Sequence, residues 1–61
     1  MKAPTVLCVD DDGRFRELYG VLLGLNGYQV IAASNCRHAL HVFDAREKSI
    51  DAVILAMRCR A

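Results

Sequence analysis

Thr5-Val6-Leu7-Cys8-Val9 is an unbroken apolar run, rich in β-branched residues, that ends abruptly at three aspartates, Asp10, Asp11 and Asp12. A run without polar alternation predicts a strand buried on both faces, and such a strand needs a covering layer above and another below. After Gly13 the period changes. Phe15, Leu18, Leu22 and Leu25 recur at helical spacing, and Asn26-Gly27 supplies a C-terminal stop, so a helix is expected over 14–26. Asp12 stands where it can cap that helix, accepting free backbone N–H groups at the positive end of the dipole. A second strand is expected over 28–32. Ser34-Asn35 then caps a second helix, ending near Ala45, with Cys36, Ala39, Leu40 and Phe43 as its inner stripe. Residues 46–49 form a charged connection, and 52–56 is again apolar. The order is βαβαβ, and strands alternating with helices imply parallel pairing through right-handed crossovers.

A chain of 61 residues is one small domain at most, able to bury only about 60% of the surface its unfolded form exposes. Apolar burial in so small a core nearly cancels against the entropy of ordering it. Disulfides, metals or oligomerisation are the usual remedies. The three cysteines, Cys8, Cys36 and Cys59, are odd in number, with no CxxC and no His cluster at zinc-ligand spacing, so neither a disulfide framework nor a structural zinc is expected. Oligomerisation remains. The formal net charge is +1 and the densest basic pair is Arg58 with Arg60, which provides no stripe to neutralise several phosphates and argues against nucleic acid as a partner. No apolar run approaches the ~20 residues of a membrane span. The N-terminus is too short and too acidic downstream for a signal peptide. A reducing, cytoplasmic setting without a membrane partner is expected.

The sequence resembles the receiver domain of two-component response regulators. Val6-Leu7-Cys8-Val9-Asp10-Asp11 is similar to that family's hydrophobic strand ending in an acidic pair. Phe15 to Leu25 with Gly27-Tyr28-Gln29-Val30 is similar to its first helix and the "GY-V" approach to its second strand. Ala39-Leu40 in the second helix and Asp51-Ala52-Val53-Ile54-Leu55, like the run into the phosphoacceptor, complete the match in order and spacing. The resemblance implies the βαβαβ half of a doubly wound, flavodoxin-like parallel sheet, strand order 2-1-3-4-5 in the whole receiver. Residues 1–61 are thus read as a truncated receiver-like half domain.

The resemblance also implies a chemistry in which a carboxylate accepts a phosphoryl group beside a Mg²⁺ held by the acidic pair. A hydroxyl after the fourth strand and a lysine after the fifth bind the phosphoryl oxygens. Carried across by position, Asp10 and Asp11 take the acidic pair and the phosphoacceptor position falls on Ala56, which has no nucleophilic oxygen. The hydroxyl and lysine positions have no counterpart. The expectation is a catalytically silent, non-enzymatic half-receiver related to phosphorelay signalling, with no catalytic residue and no cofactor beyond weak Mg²⁺ at Asp10 and Asp11. The alternative is a receiver phosphorylated when another chain completes it. A receiver or a histidine kinase is the implied signalling partner.

Other features have bland counterparts. Asp10, Asp11 and Asp12 stand at the C-terminal end of a parallel strand, where hard cations commonly sit, or they form a solvated loop and a helix cap. His38 and His41, near Asp44, share the helix-two surface and read as its wet face rather than as a metal site. Cys8 and Cys36 read as small buried hydrophobes, Cys59 as an exposed thiol. A nucleotide- or flavin-binding reading lacks a Gly-rich loop, since Asp12-Gly13 offers one glycine among three negative charges. Helix one carries Tyr19, Val21 and Leu23 beside its expected core stripe, so it is apolar nearly all round, as buried helices are. Gly20 and Gly24 leave room for another backbone. The third strand forms an uncharged edge that natural proteins cover. A homodimer would cover both, with Val53, Ile54, Leu55, Tyr19 and Leu23 as interface candidates.

Overall fold

The computed structural model describes residues 3–59. It contains β1 (Thr5–Val9), α1 (Gly13–Leu25), β2 (Gln29–Ala33), α2 (Cys36–Arg46) and β3 (Ala52–Leu55) in that order. The strands form one parallel sheet, as the βαβαβ pattern implies, in the order β2-β1-β3 that the receiver resemblance implies. Boundaries shift by a residue. The first helix starts and ends one position earlier than expected, β2 lies one position later, and Ala56 falls just beyond β3. Arg60, half of the basic pair, lies outside the described residues.

β1 is central, and all five of its residues are buried. In register, Leu7 lies between Ile31 and Val53, and Val9 between Ala33 and Leu55, so these residues share one face of the sheet. Leu7, Val9 and Ala33 form the core there, with Ala39 and Val42 of α2, Ile31, Ile50 and Met57 packed against it. Val6 and Cys8 project to the opposite face beside Val30, Ala32, Ala52 and Ile54. Since β2 and β3 flank β1 on opposite sides, two right-handed crossovers put α1 and α2 on opposite faces. The start of β1 is tied down by Asp51, whose backbone N–H donates to the Thr5 carbonyl (2.8 Å) while its carboxylate accepts from the Thr5 N–H (2.7 Å).

Both helices begin on the side chains the sequence assigns. Asp12 Oδ1 accepts from the Arg14 N–H at 2.9 Å, and Asn35 Oδ1 accepts from the His38 N–H at 2.8 Å. α1 ends in a Schellman motif. The Tyr28 N–H reaches back to the Leu23 carbonyl (3.0 Å), the Gly27 N–H reaches the Gly24 carbonyl (3.1 Å), and Gly27 takes the positive φ of 86° that closes it.

Three expectations are corrected. The stripe Phe15, Leu18, Leu22 and Leu25 is exposed, Leu25 by 80%. The less exposed line is Arg16, Tyr19, Gly20 and Leu23, which has the same helical period and lies over the sheet. A helix apolar on several sides offers two stripes of equal period, and the one that includes Tyr19 and Leu23 is the one set against the sheet. In α2, Leu40 is 63% exposed and Phe43 is also exposed. Ala39 and Val42 make the sheet contact instead, while Leu40 and Phe43 flank an open groove beside the edge strand β3.

The third correction concerns the cysteines. Cys36 and Cys59 form a disulfide, with Cα atoms 5.7 Å apart, so Cys36 is not a free core residue and Cys59 is not a free thiol. The parallel fold brings both to the C-terminal edge of the sheet. Joining residues separated by 23 positions stabilises the fold by about 3 kcal/mol in the chain-entropy model, a large share of what so small a core supplies. Cys8 is free and buried, and burial pushes its thiol above the ordinary range.

Candidate functional site

The C-terminal edge of the sheet collects the residues with chemistry. Asp10 follows β1 and is only 5% exposed. Its backbone N–H donates to the Ala33 carbonyl (3.1 Å), prolonging the β1–β2 ladder by one residue. Its own carbonyl accepts from Arg16 Nη1 at 2.7 Å, and its Oδ1 accepts from the Asp12 N–H at 3.0 Å. One carboxylate thus folds the loop back on itself, while a guanidinium from α1 holds that loop to the helix. Asp11 is exposed.

Asp12 is committed to the helix. Beyond its capping bond, it faces the Arg14 guanidinium, with Oδ2 3.2 Å from Nη2. That side-chain hydrogen bond, reinforced by the Arg14 backbone N–H, holds the Asp12 carboxyl below the usual carboxylate range. Ala56 arrives from the other side. Its N–H donates to the Val9 carbonyl at 2.9 Å, which sets residue 56 beside residue 10 in the continued β1–β3 register. The position opposite Asp10 is therefore occupied by a methyl group.

For Mg²⁺, which the receiver resemblance implies, the donors that remain are the second oxygen of Asp10 and the Asp11 carboxylate. Mg²⁺ commonly uses one or two carboxylates and keeps several waters, so this pair fits only a largely hydrated ion. Among the described residues, no group of three or more His, Cys, Asp or Glu side chains is placed to hold a metal. His38 and His41 are exposed, as is Asp44, and His38 Nδ1 faces the Ser34 N–H at a long 3.5 Å.

Beside this edge, on the α2 face, an apolar groove of about 300 Å³ runs between α2 and β3. Leu40 and Phe43 line one side, Val53 and Leu55 the other, and the Cys36–Cys59 disulfide contributes to its wall. Sequence reasoning missed the disulfide and, with it, this groove. The available signal was topological: one cysteine at the start of a helix after β2 and another just after β3 must both lie at the strands' C-terminal edge. Of the interface candidates, Val53 and Leu55 are exposed and Ile54 half-buried at the sheet edge, whereas Tyr19 and Leu23 are half-buried over the chain's own sheet.

A parallel sheet wound by helices on both faces, with an acidic loop after its central strand, defines the flavodoxin-like α/β class, here as a βαβαβ half. No protein-family model and no curated protein matches the chain. Among solved structures it is similar to the crystal structure of a response regulator receiver domain protein from Clostridium thermocellum, with 30% identity and a TM-score of 0.87. The likeness covers 92% of this chain and 44% of that one. The chain has the fold of a receiver half, and the resemblance drawn from the sequence holds in three dimensions.

Proposed function

We propose that this chain is a phosphorylation-silent receiver half that acts, without turnover, as a homodimeric interaction module in phosphorelay-type signalling in the cytoplasm. The observation that carries the reading is the pairing of Ala56 with Asp10 across the end of the sheet. The loop geometry suits an acidic pair, but the position facing it has no oxygen to attack phosphorus. Treatment with acetyl phosphate and Mg²⁺ followed by intact-mass spectrometry tests this. No phosphoryl adduct is expected, and an adduct on Asp10 or Asp11 would return the chain to the class of phosphorylatable receivers.

The occupant of the open surfaces is a second copy. The accessible surface is 4718 Å², against about 4,000 Å² for a folded monomer of this mass. Large apolar side chains stand exposed at Val53 and Leu55 on β3, Leu40 and Phe43 on α2, and Phe15, Leu18, Leu22 and Leu25 on α1. Antiparallel pairing of two β3 strands about a two-fold axis makes a six-stranded sheet and removes the bare edge. The receiver-like fold supports a histidine kinase or a full receiver as the further partner.

A further inference from the structure

A covalent switch needs a reactive side chain on the segment that is to move, and Ala56 offers none. Three residues further along the same segment, the chain is covalently attached to α2. Cys59 is bonded to Cys36, the first residue of that helix, with Cα atoms 5.7 Å apart. We propose that Cys36 and Cys59 form a thiol–disulfide switch, a redox modification site whose opening and closing governs the segment 56–59 and the apolar groove beside it. The inference rests on the silent-receiver reading only for its signalling role. Its chemistry stands on these residues.

The two sulfurs are unequal. Cys59 is exposed and Cys36 half-buried, so an external thiolate meets Cys59 first. Attack on the exposed sulfur makes Cys36, the first residue of α2, the departing one. A dithiol reductant completes the balance. Its first thiolate bonds to Cys59 Sγ as the Cys36–Cys59 bond breaks and Cys36 departs with the electron pair. Its second thiolate then closes on the first sulfur and releases Cys59. The dithiol is oxidised to a disulfide by two electrons, the protein disulfide is reduced by the same two, and two protons pass to Cys36 and Cys59. Cys8 does not compete, being enclosed in β1. Disulfides that form in reducing compartments are typically transient and catalytic or redox-sensing rather than structural.

The bond ties down what lies between β3 and α2. Met57 packs against Leu7, Val9 and Ala33, and the disulfide walls the groove formed with Leu40, Phe43, Val53 and Leu55. Reduction leaves Met57 and the Ala56 N–H bond to Val9 as the remaining anchors of 56–59, so the segment opens and the groove loses a wall.

The test is hydrogen exchange on the full chain, air-oxidised and then reduced with dithiothreitol, with thiols counted by alkylation and mass spectrometry. The oxidised native protein should take no label and the reduced native protein two, on Cys36 and Cys59. The hydrogen-bonded amides of segment 56–59 and of the first turn of α2, namely Ala56, His38 and Ala39, should exchange about tenfold faster after reduction, while β1 stays protected and reoxidation restores the slow rates. The Cys36→Ser, Cys59→Ser double variant should show the fast pattern under both conditions. Unchanged exchange on reduction would overturn the switch, as would free Cys59 in the oxidised protein. Loss of the whole circular dichroism spectrum in the reduced protein and in the double variant would show a staple rather than a switch, and would overturn it too. A phosphoryl adduct alongside an intact redox response would sink the silent-receiver reading and leave the switch standing.

Discussion

Ala56 is where a single side chain decides what this edge can do. It is held beside Asp10 by the bond from its N–H to the Val9 carbonyl, so Ala56→Asp would add a third carboxylate without moving the backbone. Mg²⁺ affinity should rise by about tenfold or more as the donor set grows from two carboxylates to three. NMR titration of the Asp10 and Asp11 amides measures it, and equal, weak responses in parent and variant would mean that the loop is not shaped for a cation. Asp12 makes a different prediction. Its carboxyl is held below the ordinary range by Arg14, so its contribution to stability is fully present above the unfolded-state pKa of about 4 and is lost as pH falls through the folded value. Thermal melts below about pH 4 should show a loss that Asp12→Asn lacks in that window. The cap at Asp12 was legible because capping depends on a residue type at a local position. The Cys36–Cys59 bond was not, because residues 23 positions apart meet only once the α2 crossover has returned the chain along β3 to the same end of the sheet.

At the level of elements, strands and helices followed from period alone, while the facing of α1 did not. Phe15, Leu18, Leu22 and Leu25 satisfy the helical period as well as Arg16, Tyr19, Gly20 and Leu23 do, and periodicity cannot rank two apolar stripes on one cylinder. The half-buried line includes an arginine, whose Nη1 donates to the Asp10 carbonyl. Gly20 refines this picture. A Cβ there would meet nothing within 4 Å, so Gly20→Ala should stabilise the monomeric fold by about 0.5–1 kcal/mol through helix propensity. Urea titration at low protein concentration reads that gain. Self-association should be unchanged, because Gly20 lies on the half-buried line over the chain's own sheet. At the other helix, Asn35→Ala removes a cap bond of 2.8 Å and should cost about 1 kcal/mol.

The molecule as a whole is a sheet with too little covering it. The radius of gyration is 11.1 Å, slightly above the ~10.5 Å of a compact chain of this length, and the excess surface is apolar where β3, α2 and α1 face outward. The βαβαβ order and β1's burial were legible because a strand apolar on both faces admits few arrangements once crossovers must be right-handed. What covers the outer surfaces was legible only as a need, since the sequence shows an uncovered edge but not its partner. The competing forces set the outcome on dilution. A core this small is near balance alone, and the disulfide supplies about 3 kcal/mol, so the oxidised dimer should dissociate to a weakened monomer. Sedimentation equilibrium with circular dichroism across the micromolar range should therefore show helix signal falling as mass falls. Val53→Lys separates association from folding, because Val53 is 48% exposed and a lysine there leaves the chain's own core intact. The variant should be monomeric at concentrations where the parent is dimeric, since pairing would bring two like charges together at the shared edge. A Val53→Lys protein that remains dimeric would move the interface away from β3 and onto the exposed stripe of α1.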